Sequence, residues 1–454
     1  MQSEADSPTH RDVWRIAAPL ILSNISVPLL GIVDTAVMGH LDEPSYLGAV
    51  AVGATIFSFL FLGFNFLRMG TTGVAAQAYG TGDAEEMRNT LAQAVLSALG
   101  IALLLLVVQK PLAIAAWRLI DPGEIVESQA GIYYAIRIWS APAVLTNYAL
   151  IGWFIGMQNA RSPLMLMLAI NLTNIVLDLL FVLGFGMKVE GVAIATVIAE
   201  FVGVALGLWL VQRELRKWPG QWQTSRILDR TRFRRLFGLN LNLFIRTVSL
   251  MFAFGFLTAQ GARMGTVVLA ANAVLLNFQY FMAYALDGFA HAAEALAGRA
   301  IGQRNRAAFD RALRISLHWS LIVATGFCLA YLLAGRLIVD IVTDLPDVRH
   351  TAYAYLPWLI ALPVVSVWSY LYDGIYVSAT RAREMRDTML FSAFAVYLPA
   401  WYFLRFLGNH GLWLAFLLFM AARGLSMHWL YRHIEARGGF AKENGGVPGK
   451  WGHS

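Results

Sequence analysis

Twelve long runs of apolar residues divide this chain, and a run of about 20 such residues is what the hydrocarbon core of a bilayer selects. They fall near 14–38, 46–68, 90–112, 130–157, 163–186, 191–212, 237–261, 267–298, 312–334, 353–379, 388–407 and 411–431. Backbone N–H and C=O groups find no water in hydrocarbon, so a spanning segment is either a helix or part of a closed barrel. A barrel reads as alternating segments of about ten residues. These runs are longer and continuous, so the chain is expected to be an all-α integral membrane protein. The charge content agrees: 14% of the 454 residues are charged, against roughly a quarter in soluble domains, and the mean hydropathy is +0.58.

The twelve runs are six written twice. Segment 47–83 reads against 269–305, and 139–161 against 360–383. Ala78, Gly80 and Gly82 close one run as Ala300, Gly302 and the polar 303–305 close its partner; Ser140-Ala-Pro142 matches Ala361-Leu-Pro363, and 191–195 matches 411–415. A repeat with an even number of spans enters the bilayer in unchanged orientation. The halves are therefore expected to be two six-helix lobes related by an axis along the membrane normal, with a site between them. The divisions read as a segment 1–12, an N-lobe 13–215, a linker 216–234, a C-lobe 235–432 and a disordered tail 433–454.

The net charge of +7 is not a nucleic-acid signature, because the basic residues follow the loops. Arg213, Arg216, Lys217, Arg226, Arg230, Arg232, Arg234 and Arg235 crowd the loop between spans 6 and 7, and Arg299, Arg304, Arg306, Arg311 and Arg314 follow span 8. Arg381, Arg383 and Arg386 follow span 10, while the alternate loops carry Asp42, Glu43, Asp121, Glu124, Glu127, Asp340, Asp344 and Asp347. The positive-inside rule then puts both termini and the linker in the cytoplasm. The first 13 residues lack the pattern of a removable signal peptide, so the first span is expected to be retained. Cys328, the single cysteine, offers no internal disulfide or metal cluster.

Transport chemistry is narrowed by what is missing. No phosphate-cradling Gly-x-x-x-x-Gly-Lys-Ser/Thr loop occurs, and no filter-like segment or Arg-rich sensor helix points to a channel. No cofactor is expected. An ion-driven carrier remains, with a lipid-linked-precursor flippase and a membrane enzyme as rivals. The flippase calls for a strongly cationic cavity, and the enzyme for a nucleophile–base pair or a metal motif that the sequence does not offer.

The polar residues inside the spans carry the rest. Asp34 lies in an apolar run with no basic neighbour, where an ionised carboxylate costs about 2.5–3.5 kcal/mol on insertion scales. It reads as an ion- or proton-binding acid, against the alternative of a helix-end residue reaching headgroup water. Pro28 removes a backbone hydrogen bond from the same helix and marks a hinge. Asn171, Asn174 and Asp178 at i, i+3 and i+7 share one face of span 5, either lining a cavity or bonding helices together. In span 6, Thr196 offers a hydroxyl to the same cavity, and Glu200 one turn on is either structural or functional. Tyr280, Tyr284, Asp287, His291 and Glu294 share a face of span 8, and Tyr370, Asp373 and Thr380 repeat the geometry in span 10. A proton relay or cavity lining suits these better than a metal site, which is more often built from Cys and His in tetrahedral sets. Arg246 in span 7 either neutralises one of these acids or attracts an anionic group, with pairing favoured.

Segment 33–40 (VDTAVMGH), segment 285–290 (ALDGFA) with Glu294 following, and segment 379–382 (ATRA) together resemble the multidrug and toxic compound extrusion (MATE) family, in its DinF branch, over about residues 13–432. The resemblance implies two six-helix lobes around a V-shaped cavity and export of organic compounds, often lipophilic cations, in exchange for protons or sodium. It implies that the coupling acid of the first helix is Asp34, that the Asn and Asp four apart in the fifth are Asn174 and Asp178, and that Thr196 is their polar partner. The NorM-like branch carries an acid in helix 7, whereas residues 237–261 contain neither Asp nor Glu, a departure that favours the DinF branch.

The expected protein is thus a proton-coupled antiporter of the bacterial inner membrane, monomeric, meeting lipids, small organic substrates and H+. Sodium is the alternative, its oxygen ligands being those of Asp34, Asn174, Asp178 and Thr196.

Overall fold

The computed structural model describes residues 7–38, 44–121 and 123–440, with the side chains of 27–38 and 44 outside that description. Of the described residues 89% are helical. Eleven helical runs among the described residues are long and apolar enough to cross a membrane, and α1 (His10–Met38) is the twelfth membrane-length helix. The N-terminal half continues with α2 (Pro44–Gly63), α3 (Phe66–Thr81), α4 (Ala84–Val107), α5 (Gln109–Ile120), α6 (Glu124–Arg137), α7 (Ala141–Gly156), α8 (Arg161–Asp178) and α9 (Val189–Leu215). A short α10 (Thr224–Ile227) lies in the linker. The second half comprises α11 (Arg230–Arg263), α12 (Thr266–Gly302), α13 (Arg306–Val342), α14 (Pro346–Ser378), α15 (Ala382–Leu390), α16 (Leu398–Leu404) and α17 (Asn409–Ala436).

The repeat is visible in backbone detail. The left-handed residue that ends α3, Gly82, has its mate in Arg304 after α12; Gln158 after α7 is matched by Thr380 after α14, and Gly186 before α9 by Gly408 before α17. Asp83 caps α4 by accepting the N–H groups of Glu85 and Glu86, and Asn305 caps α13 by accepting that of Ala308. Each cap satisfies donors that the first turn leaves open. The register of these pairs is that of 47–83 against 269–305.

The lobes meet closely on the pseudo-twofold axis. A Cβ on Gly80 would stand 2.2 Å from the Arg299 carbonyl oxygen, and one on Gly302 2.2 Å from that of Gln77. Within each half the same trick seats α7 on α3 (Gly152 against the Arg68 carbonyl) and α14 on α12 (Gly374 against that of Ala290). Small residues at such crossings let backbones approach where lipid supplies no hydrophobic drive. Gln77 also donates across the lobes to the Ser378 carbonyl, at 2.7 Å.

All of these contacts lie toward the basic loops. The buried cluster around Leu257, Phe278, Leu359 and Phe416, at the other end of the second half, contains only second-half residues. Two clusters join the lobes, one drawing on Ala293, Ala300, Phe309 and Tyr376 and the other packing Val13 and Ala17 against Phe289 and Ala312. The two lobes are thus closed together at the basic-loop end.

Candidate functional site

Span 5 delivers the expected polar stripe. On α8 the side chains of Asn171, Asn174 and Asp178 are all buried, the last two completely. Packing of α9 beside α8 brings Thr196 to Asn174, whose amide donates to the Thr196 hydroxyl at 3.2 Å. That hydroxyl commits its own proton to the Val192 carbonyl at 2.8 Å, so its lone pairs face Asn174. The amide of Asn171 donates to the Ser26 hydroxyl of α1 at 2.8 Å. The polar face of α8 is thus bonded to α1 at Asn171 and to α9 at Asn174, and the Asn174 carbonyl oxygen is buried with no hydrogen-bond partner among the described residues. Immediately after Asp178 the backbone widens into a π-helical stretch, Leu179–Gly184, a distortion often found at functional positions.

Asp34 and Pro28 lie on the part of α1 whose side chains are outside the described residues. The backbone still fixes the height of position 34. As spans 1 and 5, α1 and α8 cross the bilayer in the same direction, and the Ser26–Asn171 bond sets their register. Eight residues beyond Ser26 and seven beyond Asn171 are advances of about 12 and 10 Å, so position 34 stands level with Asp178.

Two acids of the second half, Asp373 and Glu294, stand beside guanidinium groups. Asp373 on α14 accepts from Arg246 of α11 and, at 3.0 Å, from Arg423 of α17. All three side chains are buried. Glu294 of α12 lies 2.9 Å from the His291 Nδ1 and 3.6 Å from Arg68 of α3, a contact that crosses the lobes. Asp287 is within electrostatic reach of His291, Arg68, Asp373 and Arg246. Tyr370 accepts from Gln279 at 3.3 Å, and Tyr284 offers its backbone carbonyl to Asn24 of α1. The span 8 face does not converge, since Tyr280 is 42% exposed whereas Glu294 is 2% exposed. Among the described residues no three His, Cys, Asp or Glu side chains are grouped to hold a metal ion.

Glu200 is bonded within the N-lobe. It accepts from the Asn147 amide at 2.9 Å and stands 3.9 Å from Arg137, tying α9 to α6 and α7. Arg246 takes the pairing role expected of it. The residues that sequence reasoning missed are Arg68, Arg137 and Arg423. Each is a cation inside a span, as costly in lipid as the acids that drew attention, and matching intramembrane cations to acids is the signal that identifies them.

A many-helix membrane protein with two pseudo-symmetric lobes and buried polar clusters between its helices is the class that this fold defines. The family model MatE matches residues 19–180 and 243–402, one block in each half. DNA damage-inducible protein F of Escherichia coli (strain K12) is 46% identical over 92% of this chain and 91% of its own. The Multidrug resistance protein MdtK of Yersinia pseudotuberculosis serotype O:1b (strain IP 31758) is 24% identical over 94% and 96%. Among solved structures, the Vibrio cholerae MATE transporter VcmN in the bent form superposes with a TM-score of 0.81 at 20% identity, covering 93% of this chain and 96% of that one. The chain belongs to the MatE family.

Proposed function

We propose that this protein exports lipophilic organic cations across the bacterial inner membrane in exchange for protons, and that the N-lobe cleft couples the two. The observation that carries the reading is the level placement of position 34 and Asp178 beside the Asn174–Thr196 pair. In this mechanism Asp34 and Asp178 act as a pair that holds one proton. A proton taken from outside neutralises the pair and lets α1 bend at Pro28, closing the cleft and displacing the substrate. Loss of that proton to the cytoplasm restores the charge and the substrate-accepting state. Coupling then follows from the different proton affinities of the two states.

Two further observations support this assignment. The C-lobe carboxylates Asp373 and Glu294 have cationic partners, which disfavours these two as the titrating groups. The multidrug resistance named for the Yersinia relative supports organic compounds as cargo. Closure at the basic-loop end, with termini and linker cytoplasmic, makes this an outward-open arrangement. Asn171, Tyr284, Asp287, His291 and Tyr370 are assigned to the walls of the inter-lobe cavity. Sodium is the competing coupling ion, because Asp34, Asn174, Asp178 and Thr196 supply the oxygens a hard cation prefers.

The test is efflux of a fluorescent organic cation from proteoliposomes under separately imposed proton and sodium gradients. Asp34→Asn and Asp178→Asn are each expected to lower proton-driven efflux at least tenfold. Undiminished efflux in both variants discards the mechanism, and efflux driven by sodium alone replaces the proton.

A further inference from the structure

A groove of about 910 Å³ runs between α4 and α11 where the first half meets the second, with Phe64 and Phe66 of the α2–α3 junction at its far end. Its volume lies at the top of the range for organic-ligand sites. The walls are apolar along most of their length: Leu104 and Phe237 are 59% and 68% exposed, and Gly100 opens the α4 side, since a side chain there would meet no atom within 4 Å. Such a surface faces lipid in a membrane protein and needs no partner on that account.

One end differs. Arg230 and Arg234, one turn apart at the start of α11, line the groove beside the linker. Both are exposed, and among the described residues neither is within ion-pair distance of an acid. Arg232 between them is engaged by Glu86 and Asp229, so the local acids are spent on the neighbour. From Arg230 to Phe244 the helix rises about 21 Å, which is half the roughly 40–45 Å thickness of a bilayer with its headgroups. The groove therefore has a cationic mouth at headgroup level and an apolar body one leaflet deep.

We propose that it binds one anionic phospholipid of the linker-side leaflet, the phosphate held by Arg230 and Arg234 and an acyl chain laid between α4 and α11. Two guanidinium forks suit phosphate oxygens, and basic pockets between membrane helices recognise anionic headgroups in this way. A lipophilic cation is excluded by the charge at the mouth. The lipid touches both lobes, and it is independent of the coupling assigned to the N-lobe cleft.

The experiment is native mass spectrometry of the full chain in detergent, titrated with phosphatidylglycerol and, separately, phosphatidylcholine. The wild type is expected to take phosphatidylglycerol at least tenfold more tightly, on a contribution of roughly five-fold for each arginine. The R230Q/R234Q variant is expected to bind both lipids alike, and R230K/R234K to keep the preference in part, which guards against a merely misfolded double mutant. Gly100→Leu, which fills the apolar body, is expected to weaken both lipids together. Excess inorganic phosphate is expected not to compete, since it lacks the chain. Equal binding of the two lipids by the wild type, an undiminished preference in R230Q/R234Q, or displacement of the lipid by a fluorescent organic cation overturns the proposal.

Discussion

Asp373 sits between two guanidinium groups, and the arithmetic of burial governs what its loss does. Removing the carboxylate leaves Arg246 and Arg423 facing each other in a site with little water, and uncompensated buried charge of this kind costs about 3–5 kcal/mol. Asp373→Asn is therefore expected to lower the thermal midpoint of the purified protein sharply, followed by intrinsic fluorescence. Replacing all three residues by Met or Leu is expected to restore most of the loss, because an apolar core of the same volume does without the ion pairs. The same logic explains what the sequence could and could not disclose about single residues. That Asp178, Glu200, Asp287, Glu294 and Asp373 lie inside apolar spans was plain from their neighbours. Which of them are neutralised was not, since the partners are far away in the chain: Arg68 for Glu294, Arg137 for Glu200 and Arg423 for Asp373. Pairing across such separations is a property of helix packing, which periodicity does not encode.

At the level of elements, the apolar runs marked the cores of the helices but understated their length. Span 8 was expected over 267–298 and α12 runs Thr266–Gly302; span 9 was expected over 312–334 and α13 runs Arg306–Val342. The extra turns at the start of α13 are polar and begin on the Asn305 cap, whereas those at its end, 335–342, are mixed apolar and charged. Asp83 with Glu85 and Glu86 behind it announced the start of α4 well before the apolar run at 90, a cue that hydropathy passes over. The π-helical stretches Leu179–Gly184 and Phe391–Tyr397 left no mark in the pattern of residue types. At the head of α11, Asp229 accepts the N–H groups of Thr231 and Arg232 at 2.7 and 3.3 Å, and these bonds hold its carboxyl below the ordinary 3.8. Since the folded form binds the proton less tightly, the cap's contribution is complete above pH 3.8 and is lost as the pH falls through the depressed value. Hydrogen exchange at the first turn of α11 is expected to quicken over that acid range in the wild type, and to be quick at every pH in Asp229→Ala. Gly302 carries a different constraint. A methyl there collides with the Gln77 carbonyl, so Gly302→Ala is expected to cost about 1–3 kcal/mol as an overpacked contact and to raise the maleimide reactivity of a cysteine placed at Ala76, which packs against Gly298 one turn before Gly302. Unchanged reactivity would mean that the lobes do not rely on this approach.

Taken whole, the molecule is one six-helix plan used twice, and that much was legible because glycine, proline and polar positions recur at matching places in both halves. The closure at one end was not legible, since it depends on which faces the two copies turn to each other. If the lobes rock about that closure, spin labels at Ile125 and Leu345, one in each lobe near the acidic loops, are expected to approach on protonation, while labels at Arg161 and Arg383 near the basic loops move apart. Replacing Cys328 by Ser leaves a background free of other thiols, and double electron–electron resonance distances that ignore pH at both pairs would refute the rocking motion. The contact formed by Gly80, Gly302 and the carbonyls they touch has a mechanical meaning as well. It is a fulcrum placed near one end of long rigid levers: α12 alone is about 55 Å from first residue to last, so a turn of a few degrees at this small patch sweeps the distant loops through a wide arc. The tightness of the two backbone contacts across the axis, Gly80 on the Arg299 carbonyl and Gly302 on that of Gln77, sets how freely such a turn is made.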